Sequence, residues 1–257
     1  MKSFFFALQH LTRIRLYKGA FNDRAFGRSP VFFPIVGLIL GLLLWLAKVF
    51  YGFVFPDPLV AALLVVTMAV LTGGIHLDGF MDTMDGVLSG RSREKKLEIM
   101  RDSRVGAFGA LSLVCLLLLK FTALMTMPGE YFGVAIIMAT VISRWAMVYV
   151  IAQFPYARRE GLGELVAQYT GSREMLIATA CTVVICVAAA GLAGLVLLLG
   201  AWCWAHLFGR WMTAGLGGVT GDVYGATAEL TELWIYLLVF PVFGLLPAVL
   251  RQPGLYW

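Results

Sequence analysis

Apolar residues run along this chain in blocks of about 20, long enough to cross a bilayer as helices rising 1.5 Å per residue. Windows of about 19 residues predict seven spans, near 31 to 51, 58 to 76, 105 to 127, 131 to 152, 175 to 193, 195 to 212 and 230 to 249. Only small residues between Gly191 and Gly200 part the fifth from the sixth, so the expected number is about seven within a range of six to eight. Ahead of the first span, Phe4, Leu8, Leu11 and Arg15 recur at helical spacing while Arg13 and Lys18 stand on the other face. That pattern predicts an N-terminal amphipathic helix lying along the membrane surface. The same stretch lacks the apolar run and small-residue cleavage site of a signal peptide, so no cleaved leader is expected. The fold class that follows is all-α, a polytopic integral membrane helical bundle forming a single domain over residues 1–257.

Composition agrees with the pattern. The chain is 60% hydrophobic and 14% charged, against about 45–50% and about 25% in an average soluble domain. Its four cysteines, Cys115, Cys181, Cys186 and Cys203, all lie in apolar runs without metal-ligand spacing. Charge then sets orientation. On the seven-span reading one side carries Lys2, Arg13, Arg15, Lys18, Arg24 and Arg28, the run from Arg91 to Arg104, and Arg158, Arg159, Arg173 and Arg210, while the other carries only Arg251. The excess of Lys and Arg places the N-terminus and the polar loops in the cytoplasm. The basic residues lack interleaved aromatics, so no nucleic-acid partner is expected.

The polar exceptions carry the chemistry. In "HLDGFMDTMDG", Asp78, Asp82 and Asp85 stand at i, i+4 and i+7, one stripe of a helix at the cytoplasmic end of the second span. Like charges so placed repel, and a divalent cation relieves them; hard carboxylate oxygens suit Mg2+, which typically takes one or two carboxylates plus substrate phosphates. Gly79 and Gly86 in the same stripe weaken a helix and point to close approach by a ligand or another backbone. Downstream, Arg101 and Arg104 flank Asp102 and would clamp phosphate oxygens with their planar forks. A glycine-rich element, "GLGGVTGDVYGA", opens the last span; Gly218 and Thr220 are expected to meet phosphate and Asp222 to complete a metal site. Arg158 and Glu160 punctuate a short loop between these motifs. Lys120 and Arg144 sit inside apolar spans, where an unpaired ion costs about 3 kcal/mol or more, so each is expected to pair with the aspartates or to meet a substrate phosphate. His10 and His76 have no partner at ligand spacing and are expected to be ordinary interfacial residues, and His206 is expected to be structural. Small pairs such as Gly37 and Gly41 would serve helix packing within one chain or between copies in a homo-oligomer.

Taken in order, "LTGGIHLDGFMDTMDG", "LEIMRDSRVGAFG", "YARREGLG" and "GGVTGDVYGA" resemble the cobalamin synthase family, also called adenosylcobinamide-GDP ribazoletransferase or cobalamin 5'-phosphate synthase. The resemblance runs from about residue 30 to about residue 235. It implies an Mg2+-dependent enzyme of the cytoplasmic (inner) membrane that joins adenosylcobinamide-GDP to α-ribazole or its 5'-phosphate and releases GMP. On that basis Asp78, Asp82, Asp85 and Asp222 are expected to bind Mg2+, with Asp82 and Asp85 catalytic and Asp85 the acceptor of the attacking hydroxyl's proton. Arg101, Asp102, Arg104, Lys120, Arg144, Arg158, Glu160, Gly218 and Thr220 are expected to bind substrate. A CDP-alcohol phosphotransferase would share "DTMDG" but needs a further pair of aspartates on the next helix, where this chain has "RVGAFGALSLVC". An ion-coupled carrier would place its carboxylates nearer the midplane.

Overall fold

Backbone N–H and C=O groups find no water inside a bilayer, so apolar runs of this length close their hydrogen bonds within each segment as helices. The computed structural model describes residues 2–158 and 160–245, and these are all-α with one isolated parallel bridge between Tyr156 and Val219. α1 (Lys2–Leu11) and α2 (Asp23–Gly27) lead through a 3-10 turn (Ser29–Phe32) into α3 (Phe33–Gly52). There follow α4 (Asp57–Thr72), α5 (Ile75–Leu88), α6 (Arg93–Ile99), α7 (Ala107–Thr126), α8 (Gly129–Gln153), α9 (Leu162–Tyr169), α10 (Ser172–Leu216) and α11 (Gly221–Leu245). Among the described residues five helices are long and apolar enough to cross a membrane, or six if α4 and α5, bent by 93°, make one span.

α8 is the axis of the bundle, buried along the whole of its apolar window. α3 reaches its backbone through glycine: a methyl carbon built on Gly37 would fall 2.5 Å from the Thr140 carbonyl oxygen, and one on Gly41 3.0 Å from the Ile137 Cα. This pair therefore serves packing within the chain. The outward faces are apolar, with Phe50, Leu176, Val184 and Leu207 each at least 65% exposed, as lipid-facing surfaces require.

The expected fifth and sixth spans are the two limbs of α10. Trp145 Nε1 donates to Thr179 Oγ1 at 3.0 Å, and one turn along α8 the Tyr149 hydroxyl meets His206 Nδ1 at 2.9 Å. Thr179 and His206 thus lie at nearly one level, although a straight helix would hold them about 40 Å apart. The chain reverses between them at Gly191, whose φ of 55° and ψ of −133° are non-helical, and a methyl carbon built on Gly194 would strike the Cys186 carbonyl. Only glycine adopts such a conformation without strain.

Three expected boundaries move. The second span ends at Thr72, because Gly73 and Gly74, at φ 67° and 73°, turn the chain through the bend into α5. The last helix starts at Gly221 rather than near 230, and its end, Arg251 and Arg159 lie outside the described residues. α1 stops at Leu11, since the Thr12 hydroxyl donates to the Leu8 carbonyl and accepts from Ile14 N–H. It also buries Phe6, Leu8 and Leu11 in the bundle instead of only resting on a surface, and Arg13, Arg15 and Lys18 follow it in an irregular strap.

The polar loops share one end of the bundle. Thr170 Oγ1 donates to the Gly27 carbonyl, Arg28 pairs with Glu174 at 3.5 Å, and Arg158 Nη2 reaches the Met100 carbonyl at 3.4 Å. At the other end the Tyr51 hydroxyl meets Thr67 Oγ1 at 3.0 Å and Lys48 lies over the Phe132 ring.

Candidate active site

Glycine brings the two acidic helices together. A methyl carbon on Gly79 of α5 would fall 2.9 Å from the Asp222 carbonyl oxygen, and one on Gly225 of α11 would fall 3.1 Å from that of His76. Backbone thus lies against backbone, and Asp78 and Asp222 line one cavity of about 220 Å3. Asp82, one turn beyond Asp78, is half-buried and within electrostatic range of Asp78, Asp85 and Asp222. Among the described residues, neither the Asp78 nor the Asp82 side chain has a hydrogen-bond or ion-pair partner.

Asp85 differs from its neighbours in the stripe. It is 8% exposed, and its two oxygens accept from Gly106 N–H and Gly109 N–H, each at 2.8 Å. Those amides open α7, so the carboxylate caps that helix and offsets its dipole. The glycines are necessary there, since a side chain at either would strike the carboxyl group. The geometry does not favour Asp85 as a proton acceptor or metal ligand, because both oxygens are engaged. Asp85→Asn turns one acceptor into a donor facing an N–H, at a cost of about 1–2 kcal/mol. We expect thermal unfolding in detergent to fall by about 5 °C, with a smaller loss of turnover than for the same change at Asp82.

In the loop before α11, Gly218 and Thr220 make contacts within the protein. Val219 N–H donates to the Pro155 carbonyl and Ala157 N–H to the Val219 carbonyl, both at 2.8 Å, and Gly218 is needed because a side chain would strike the Pro155 carbonyl. Thr220 is fully buried; its hydroxyl accepts from Val223 N–H at 3.3 Å, which caps α11, and donates to Asp222 Oδ2 at 3.3 Å. This bridge carries Arg158 to Asp222, where Nη1 lies 2.8 Å from Oδ2. Arg158 also borders an open cleft of about 480 Å3 with Arg101 and Glu160. Arg104 forks onto Asp102 through Nε at 3.0 Å and Nη2 at 2.7 Å, an exposed pair in which the guanidinium holds the Asp102 carboxyl down to about 2.

Lys120 and Arg144 are not with the aspartates. Lys120 Nζ meets Glu229 at 2.5 Å and Glu232 at 3.0 Å, and Arg144 Nη1 meets Glu232 at 2.9 Å. All four side chains are at most 5% exposed. Two cations and two anions compensate one another in the bundle interior, so the expected contact with substrate or the aspartates gives way to a structural role.

Among the described residues no three His, Cys, Asp or Glu side chains form a group that could hold a metal by themselves. Two unpartnered carboxylates, Asp78 and Asp82, nevertheless fit Mg2+, whose remaining positions are commonly filled by water and substrate phosphates.

Residues 3–240 match the family model described as cobalamin-5-phosphate synthase. Three curated proteins named adenosylcobinamide-GDP ribazoletransferase are similar. That of Roseiflexus sp. is 43% identical over 82% of this chain and 79% of its own. That of Desulfitobacterium hafniense is 39% identical over 94% and 98%, and that of Desulforamulus reducens 40% identical over 91% and 94%. No solved structure matches. With nearly its whole length matched, the chain belongs to the cobalamin-5-phosphate synthase family.

Proposed function

We propose that this protein joins adenosylcobinamide-GDP to α-ribazole or α-ribazole 5'-phosphate, giving adenosylcobalamin or its 5'-phosphate and GMP, the last stage of nucleotide-loop assembly. The observation that carries the proposal is the pair of unpartnered carboxylates, Asp78 and Asp82, held beside the Asp222–Arg158 ion pair where the polar loops gather. We place this end in the cytoplasm and the protein in the inner membrane, because the lysines and arginines of the loops concentrate there.

A ribose hydroxyl of the acceptor attacks the corrinoid-side phosphorus; the new P–O bond forms as the bridging P–O bond breaks and GMP departs. Asp78 and Asp82 would hold Mg2+, which neutralises charge on the pyrophosphate and favours in-line displacement. Of the two carboxylates expected to be catalytic, Asp82 has oxygens free to accept the hydroxyl proton. Arg158 is oriented by Asp222, and with Arg101 it borders the cleft where the phosphate of GMP would be held by charge-assisted hydrogen bonds.

The test is release of GMP from adenosylcobinamide-GDP by purified protein in detergent. We expect release that requires both Mg2+ and α-ribazole or its phosphate. Folded protein that releases no GMP under these conditions would overturn the proposal.

A further inference from the structure

A cleft of about 660 Å3 opens onto Asp78 between the N-terminal strap, the bend from α4 into α5, and Leu113 of α7. It shares no lining residue with the cleft bordered by Arg101 and Arg158. Two arginines of the strap, Arg13 and Arg15, line it together with Asp78, and all three side chains are exposed. Among the described residues neither guanidinium has a hydrogen-bond or ion-pair partner, so neither pairs with Asp78. Opposite charges that border one cleft without touching leave room between them for a group that answers both.

The strap is tied down on both sides of the two arginines. Arg13 N–H donates to the Leu71 carbonyl at 2.7 Å, one of the carbonyls left free where α4 ends. The Arg13 side chain crosses Gly73 so closely that a methyl carbon there would strike its Cδ. Ile14, between the arginines, packs on the core, and its N–H donates to Thr12 Oγ1 at 3.1 Å. Beyond them, Tyr17 N–H donates to Gln9 Oε1 at 2.8 Å, and the Tyr17 ring packs against Phe5 and Phe6. A ligand that binds here does not have to order the backbone carrying its contacts, which keeps the cost of binding low.

Guanidinium forks match phosphate oxygens, and a carboxylate takes the divalent cation that a phosphate brings with it. We infer that Arg13 and Arg15 hold a phosphate group of one of the two substrates beside Asp78. The inference rests on the function proposed above, since it assigns two further binding residues to that reaction. The reaction draws phosphate from two sources, the pyrophosphate of adenosylcobinamide-GDP and the 5'-phosphate of a phosphorylated acceptor. Both present the same oxygens to the arginines. With Arg101 and Arg158 at the other cleft, arginine meets phosphate from two separate openings onto the acidic residues. The N-terminal strap is thereby part of the binding site, and the bend at Gly73 is the place where it docks.

The experiment compares wild type, Arg13→Gln and Arg15→Gln with Lys18→Gln, which removes the same charge from the strap outside the cleft. KM is measured in the detergent assay for α-ribazole, α-ribazole 5'-phosphate and adenosylcobinamide-GDP, and equilibrium dialysis measures the binding of each compound alone. Each arginine variant is expected to weaken a phosphate-bearing substrate about 10-fold by both measures. α-Ribazole should stay within about 2-fold, and Lys18→Gln should stay within about 2-fold for all three. A loss confined to α-ribazole 5'-phosphate assigns the clamp to the acceptor, and one confined to adenosylcobinamide-GDP assigns it to the donor. If Arg13→Gln does not fold, Arg15→Gln decides, because its guanidinium has no partner among the described residues to lose. Active wild type whose arginine variants bind every substrate normally, as they would if the strap met only lipid headgroups, would overturn the clamp while leaving the proposed reaction standing. So would variants that lose α-ribazole as much as its phosphate. Inactive wild type that still binds a phosphate-bearing compound by dialysis, with binding lost in the arginine variants, would overturn the reaction and keep the clamp.

Discussion

Asp82→Asn is expected to lower GMP release by about 100- to 1000-fold, the scale on which a preorganised charge acts in a transition state, without loss of folding. The change keeps the shape of the side chain. Asp82 has no hydrogen-bond or ion-pair partner among the described residues, so no contact within the protein is broken. Its loss of charge also relieves repulsion with Asp78, Asp85 and Asp222, the three acids within its electrostatic range. Thermal unfolding of the purified variant without Mg2+ should therefore stay level or rise by a few degrees, while activity collapses. That combination separates it from Asp85→Asn, where stability should fall more and turnover less. A variant that kept a tenth or more of wild-type activity would remove Asp82 from the chemistry.

The bundle was legible because its signal is long. Seven apolar blocks required helices whatever their neighbours, and even the uncertain junction near Gly191 proved to be a tight reversal between two expected spans. Boundaries were less legible where glycine pairs or a short polar side chain ended a helix inside an apolar run, as at Gly73 and at Thr12. The acidic stripe could be read from spacing alone, but the division of labour within it could not. Asp85 is separated from Asp78 and Asp82 by what α7 brings to it, namely the amides of Gly106 and Gly109, 21 and 24 positions downstream. The glycine pattern of the loop before α11 predicts room for phosphate, yet at Gly218 the room is taken by the backbone of residues 155–157. His76 and Tyr224 had no sequence signal beyond their polarity, because only the fold shows that His76 Nε2 and the Tyr224 hydroxyl are buried without a hydrogen-bond partner among the described residues. The partners of Lys120 and Arg144 could have been found: Glu229 and Glu232 lie three apart in an apolar helix, and the rule that marks intramembrane cations applies equally to anions.

Those partners support the second large expectation, on stability. Glu232→Gln should lower thermal unfolding in detergent by about 10 °C or prevent accumulation of folded protein. Glu232 accepts from both Lys120 and Arg144, so it joins the two cations of the cluster, and removing its charge leaves two buried positive groups facing Glu229 alone. Breaking a buried pair from one side costs about 3–5 kcal/mol, because the remaining charge stays desolvated without compensation. Removing charge from both sides need not. The double variant Arg144→Met with Glu232→Gln leaves Lys120 and Glu229 as a pair and replaces the orphaned guanidinium by an apolar chain. It should unfold at a higher temperature than Glu232→Gln, so the two changes should be strongly non-additive. Unfolding temperatures of the two single variants and the double variant measure that coupling directly. Simple additivity would mean that each glutamate and cation is stabilised separately, and that the cluster does not act as one compensated unit tying α7 and α8 to α11.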